Sequence, residues 1–367
     1  MRSCCLLLSL AAVGCGGAAS STTVTANGTT TGGTTTSGPT NGNPSATAPS
    51  PNGGATPAPT TTATNPATPT APTTSGGLVW AVETSGASGL SSIWGASAND
   101  VYAVGAGGAI VHSTGDGSWS LLASGCADDL HDVWGSSASD IYIVGAIANP
   151  SWTGSVLHSV DGGASWSLSR GAGSLNAAIW GSGANDVYIA DYGALYHSTD
   201  GGASWSATAL PKLQAATVWG AGAGDVFAFG NNTLNRQAVV RTHDAFSDYE
   251  VATPGNSDGL LAAWGSSASD VWAVGAPASA YHSTDDGATW QAVTPPGANG
   301  GLVSVWGSGP NDVYVLSSNA LRHTGDAGAT WTTVTLPAAS GYTKVWGSSA
   351  SDLYVVGSAG QIMHGRS

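Results

Sequence analysis

IWGASANDVYAVG, residues 93–105, returns six times: as VWGSSASDIYIVG (133–145), IWGSGANDVYIAD (179–191), VWGAGAGDVFAFG (218–230), AWGSSASDVWAVG (263–275), VWGSGPNDVYVLS (305–317) and VWGSSASDLYVVG (345–357). Its tryptophans, Trp94, Trp134, Trp180, Trp219, Trp264, Trp306 and Trp346, lie 39 to 46 residues apart. A period of that size marks a repeat architecture, in which each copy is one supersecondary unit that buries its apolar face only by stacking on its neighbours.

Within each copy, four short runs alternate apolar with small or polar residues. In the first copy one run ends at Ile93-Trp94, the next covers Val101 to Val104, a third Ala109 to His112, and a fourth surrounds Trp119. Gly, Ser, Asn and Asp separate them, as strand-to-strand turns require. Four strands per repeat of about 40 residues, arranged radially, is the pattern of a β-propeller blade. The expected fold is therefore all-β, a single seven-bladed propeller over residues 78–367.

The two ends of that span predict how the ring closes. Copy seven stops at Met363-His364-Gly365-Arg366-Ser367, where its turn to a fourth strand should begin. Leu78-Val79-Trp80-Ala81-Val82-Glu83 supplies the missing strand, because Trp80 precedes Trp94 by 14 residues and the fourth-strand Trp of other copies precedes the next first-strand Trp by 14 to 16. An N-terminal strand in blade seven removes the exposed sheet edges that would template aggregation.

The third-to-fourth turns carry a second motif: Ser159-x-Asp161-x-Gly163-x-x-Trp166, Ser198-x-Asp200-x-Gly202-x-x-Trp205, Ser283-x-Asp285-x-Gly287-x-x-Trp290 and Thr324-x-Asp326-x-Gly328-x-x-Trp331. The Asp and Ser side chains suit a structural role as acceptors of turn amides, with Gly at positive φ and Trp packing between blades. Two copies are degraded: residues 112–119 are one residue short, and Thr242-x-Asp244-x-Phe246-x-x-Tyr249 lacks both Gly and Trp. The motif resembles the Asp-box, or BNR repeat, of sialidases, sortilin-type propellers and Ycf48-like photosystem assembly factors. That resemblance implies a β-propeller and opens two functions, glycoside hydrolysis or the docking of another protein.

Ahead of the repeats, MRSCCLLLSLAAVGC (1–15) reads as a short signal peptide. Ala12-Val13-Gly14-Cys15 resembles a bacterial lipobox, which implies acylation of Cys15; an ordinary secretory signal cleaved near Ala18 or Ala19 is the other reading. Gly16 after that Cys, instead of Asp, points to an outer-membrane or surface location. Residues 16–77, almost wholly Thr, Ser, Pro, Gly, Ala and Asn, are expected to form a disordered stalk, with too little apolar surface to offset the entropy of ordering.

Charge excludes one class of partner. With 8 Lys plus Arg against 22 Asp plus Glu, a net charge of -14 leaves too few cations for a phosphate-binding patch, so no nucleic acid is expected. The membrane is met only through the lipid anchor, a monomer is expected, and Cys126 has no disulfide partner in the repeat domain. No cofactor is called for.

Metal is not expected either. The recurrent His112, His158, His197, His243, His282, His323 and His364 fall on third strands, too far apart around the ring for one zinc ion. The seven Asp at 100, 140, 186, 225, 270, 312 and 352 read as turn caps.

Binding is expected on the opposite, variable face, formed by second-to-third loops and blade connections. Its candidates are Trp152 in the insertion 146–155, Asp128, Asp129 and His131 beside it, Asp191 where five other copies have Gly, and Asn231 and Arg236 in the insertion 231–238. Trp152 is the best single anchor, for a protein pocket or a sugar face. Glycoside hydrolysis would need Asp128 or Asp129 to pair with Asp191. Sialidase activity implies three converging Arg, and only Arg170 and Arg236 fall on this face. A non-enzymatic, surface-displayed binding propeller is the expected function.

Overall fold

The computed structural model describes residues 72–147, 153–170, 172–175, 177–210, 212–246, 249–255, 259–298, 300–337 and 340–367. They form seven antiparallel sheets, blades whose four strands run outward from a central axis, with a fifth strand added at the outer edge of one. Blade one consists of Leu90–Ser97, Asp100–Gly105, Ile110–Ser113 and Ser120–Leu122. The second strands carry the longest apolar runs, such as Asp100–Gly105 and Asp186–Asp191, and are buried nearly throughout. They lie between two neighbouring blades, so both faces are covered and strict alternation is lost. Fourth strands such as Ser167–Arg170 form the solvent-exposed rim.

The Trp-Gly pair of the repeat is the joint between blades. The ring of Trp94 lies where a Cβ on Gly135 would come within 2.5 Å, and Trp346 stands in the same relation to Gly95 at 2.6 Å. Trp134, Trp180, Trp219, Trp264 and Trp306 cover Gly181, Gly220, Gly265, Gly307 and Gly347 in turn, so every blade lays its Trp on the glycine of the next. Only a residue without Cβ permits this approach.

Leu78–Thr84 pairs antiparallel with Gln361–Arg366, with Trp80 opposite Gly365, and completes blade seven. One strand lies beyond it. Thr73–Ser75 turns back through Gly76 and Gly77, both at positive φ, and pairs with Leu78–Trp80, inside the span read from sequence as stalk. Ser75 Oγ accepts the Thr335 amide of blade six at 2.8 Å, so this edge is held by a neighbour. Thr73–Ser75 therefore lies along the outside of blade seven and folds back into it at Gly76 and Gly77. Among the described residues, no helix is long and apolar enough to cross a membrane.

Candidate functional site

The repeated His and Asp form one pair per blade. In blade two, Asp140 accepts the Ser136 hydroxyl at 2.5 Å and lies 2.7 Å from His158 Nε2, while the His158 ring stacks on Tyr142 at 4.0 Å. Blades three, six and seven repeat this with Ser182-Asp186-His197, Ser308-Asp312-His323 and Ser348-Asp352-His364. A nucleophile triad needs His between Ser and Asp, whereas here Asp stands between Ser and His. The arrangement ties the first, second and third strands of a blade together.

The Asp-box turns are equally self-contained. Ser159 Oγ accepts the Gly163 amide at 2.8 Å and donates to Asp161, whose carboxylate takes the Ser165 amide at 2.9 Å and its hydroxyl at 2.6 Å. Asp200, Asp285 and Asp326 take the same bonds from Ser204, Thr289 and Thr330. These bonds hold all four carboxyls below the usual range, Asp200 down to about 2. The box Trp packs on the second-strand aromatic of the preceding blade, as Trp331 does edge-on against Trp272.

On the variable face, three of the expected residues meet at the link between blades two and three. Asp128 is buried, 2.7 Å from Arg170 Nη1 and 2.5 Å from the Ser155 hydroxyl. Burial alone would raise its pKa, but the Arg170 and Ser155 hydrogen bonds and the guanidinium charge outweigh it and hold the carboxyl below its usual value. Asp191, also buried, accepts the Ser174 and Leu175 amides at 3.0 and 2.8 Å. His131 Nδ1 lies 3.0 Å from the Leu175 carbonyl on the same link. Asp128 and Asp191 thus stabilise the rim and backbone of this corner, each carboxylate engaged by other groups.

The remaining candidates stand apart. Asp129 is exposed and accepts the Gly107 amide at 3.0 Å, toward blade one. Asn231 Nδ2 donates to Gln214 and Asn235, shaping the blade-four hairpin, and Arg236 is exposed at its tip. Trp152 and Cys15 lie outside the described residues.

Three features escaped the sequence reading. At adjacent hairpin tips of blades three and four, Tyr192 and Leu234 are 54% and 71% exposed. Along the inner strands, Asp132 accepts Ser92 Oγ at 2.6 Å and the Ile179 amide at 3.2 Å, and lies 3.4 Å from Lys344 Nζ of blade seven, linking four blades. The signal for this was the residue two before each repeat Trp, polar in several copies and charged only as Asp132 and Lys344. In degraded blade four, Asp225 and His243 meet Asp286 from the Asp-box of blade five, with their ligand atoms within 4.8 Å of one another.

The fold and its turns define a seven-bladed β-propeller with Asp-box repeats. Residues 196–207, in blade three, match the family described as BNR/Asp-box repeat. Among solved structures, the chain is similar to "YCF48 bound to D1 peptide" at 18% identity and a TM-score of 0.62, over 78% of this chain and 97% of that one. YCF48 from Cyanidioschyzon merolae aligns at 17% identity and a TM-score of 0.61, over 78% and 98%. The GH74 enzyme of Niastella koreensis aligns at 15% identity and a TM-score of 0.60, over 77% of this chain and 53% of that one. Identities this low carry the fold alone. No curated protein sequence matches the chain.

Proposed function

We propose that the chain is a binding propeller of the cell envelope, tethered through Cys15, whose variable face at blades two to four engages a segment of another protein. The observation that carries this reading is the pair Tyr192 and Leu234, large apolar side chains left exposed at neighbouring hairpin tips. Exposed aromatic and aliphatic tips on rigid hairpins are the anchors of protein interfaces, and ordering them costs little because the scaffold already holds them. Arg236 and Asp129 on the same face add charges of both signs at its rim. A propeller of similar fold in complex with a peptide supports a protein segment over a glycan as ligand. Hydrolysis, the reading favoured by the likeness to a GH74 enzyme, is opposed by the engagement of Asp128 with Arg170 and Ser155 and of Asp191 with the 174–175 amides.

Binding of the full chain to peptide and glycan arrays tests this, with Tyr192→Ala, Leu234→Ser and Trp152→Ala as variants. Each should weaken peptide binding by about tenfold or more. Binding untouched by all three, or turnover of aryl-glycosides that is lost in Asp128→Asn or Asp191→Asn, overturns the proposal. Mass spectrometry of the mature N-terminus reads out acylation of Cys15.

A further inference from the structure

Blade four departs from the other six at one point. In those six, the third-strand His turns Nε2 to the blade's own Asp, and its ring stacks on a second-strand aromatic at 3.7 to 4.4 Å. His243 instead has Nδ1 3.0 Å from Asp225 Oδ1 and Nε2 3.3 Å from Asp286 Oδ2, and its side chain is 54% exposed where the others are 2 to 23% exposed.

Asp286 comes from the next blade. It occupies the box position that Gly162 and Gly201 fill in blades two and three, and it keeps their left-handed backbone at φ 61. Ala327 has the same conformation in blade six, so it belongs to the box turn, and in blade five that turn carries a carboxylate to His243. Asp286 Oδ1 is shut off from solvent and accepts no hydrogen bond, while Asp225 Oδ1 has His243 Nδ1 beside it at 3.0 Å. A buried carboxylate oxygen in that state calls for a positive partner.

We propose that Asp225, His243 and Asp286 form a binding site for one zinc-class divalent cation at the junction of blades four and five. Ligands about 2.0–2.1 Å from a tetrahedral ion stand roughly 3.3 Å from each other; His243 Nδ1 and Asp225 Oδ1 stand 3.0 Å apart, and one ligand atom from each of the three residues lies within 4.8 Å of the others. The ion takes Nδ1, the nitrogen that already faces Asp225, and the exposed ring settles so that Asp286 Oδ1 completes the protein ligands. Two carboxylates match the double charge, and the solvent side of His243 leaves the fourth position to water. Arg241 Nη1, 3.1 Å from Asp286 Oδ2, steadies that oxygen and leaves Oδ1 for the ion. Calcium is disfavoured because it takes six to eight oxygen ligands, and this donor set includes a nitrogen.

The test is isothermal titration of the untagged full chain with zinc chloride, and with cobalt(II) to read tetrahedral coordination from its visible absorption. One ion per chain is expected. Asp286→Gly, which installs the residue of blades two and three and so keeps the turn, should weaken binding at least about tenfold, as should His243→Gln. His197→Gln, in the ordinary His-Asp pair of blade three, should leave it unchanged. Absence of saturable binding overturns the site, as does affinity unaltered in Asp286→Gly and His243→Gln, or lowered equally by His197→Gln. Any of these results makes His243 a simple bridge between two acids.

Discussion

His364 Nδ1 lies 2.8 Å from Glu83 Oε1, so the strand that ends blade seven and the strand that opens the propeller meet through a buried ion pair as well as a backbone ladder. His364 Nε2 is 2.6 Å from Asp352, and Trp119 of blade one donates to Glu83 Oε2 at 2.7 Å. The closing strand is thereby bonded to both blades at the seam. Burial opposes charge on both groups, but the hydrogen bonds and opposite charges prevail, leaving Glu83 below and His364 above their ordinary values.

Removing one partner should open the seam. Glu83→Ala leaves His364 Nδ1 and Trp119 Nε1 without their acceptor, and a loss of about 3 kcal/mol in urea unfolding is expected, within the range for a broken buried pair. Because the His364 pKa is raised, its contribution is complete below about pH 6.5 and fades as pH rises through the folded value. Stability of the wild-type chain should therefore fall on the alkaline side of neutrality by more than that of Glu83→Ala. Equal pH slopes in the two proteins would refute this account.

The Trp-Gly joint predicts a steric cost at any blade. Gly220→Ala pushes a methyl group into the Trp180 ring and the Asp225 carbonyl, where the backbone of two strands leaves nowhere to move. Overpacking of this kind costs about 1–3 kcal/mol. Gly222→Ala, two residues on with open space around it, should be far milder. Thermal melts of the two variants decide the matter.

At low pH the Asp-box carboxylates should govern. Their folded values lie below the ordinary Asp range, that of Asp200 at about 2, so their stabilisation is complete above about pH 4 and is lost as pH falls through the folded values. A melting temperature that drops over this interval, and drops less in Asp200→Asn, is the expected result.

How far the sequence was legible follows from the range of each interaction. The Trp spacing displays blade number, closure and the Asp-box turns because each is a short motif or a fixed interval along the chain. Thr73–Ser75 was invisible, since Thr-Thr-Ser reads like the rest of the Thr-rich segment and pairs only because a strand edge stands beside it. Lys344 with Asp132 lies 212 positions apart, and Asp286 with Arg241 lies 45 apart across a blade boundary, so no local pattern announces them. Asp128 stood out as a charge beside a variable insertion, and Asp191 as a charge at a second-strand end where five other copies have Gly. Charge alone did not reveal that Arg170, Ser155 and backbone amides already engage them.

Degraded blade four offers a prediction that runs against the repeat. Thr242 Oγ1 still accepts the amide of residue 246 at 3.0 Å, as the box requires, but Phe246 stands where other boxes have Gly and keeps the positive φ of 69. Its ring is buried and meets Tyr188 of blade three at 6.5 Å, the contact that a box Trp makes in other blades. One residue thus accepts backbone strain and replaces the lost Trp, with Tyr249 packed beside it. Restoring the repeat residue by Phe246→Gly relieves roughly 1 kcal/mol of strain but removes a buried aromatic worth about 3–5 kcal/mol. The variant that looks like a repair should therefore lose about 2–4 kcal/mol in urea unfolding. Phe246→Gly combined with Tyr249→Trp should recover part of that loss. A Phe246→Gly single variant as stable as the parent would show that the Tyr188 contact contributes little.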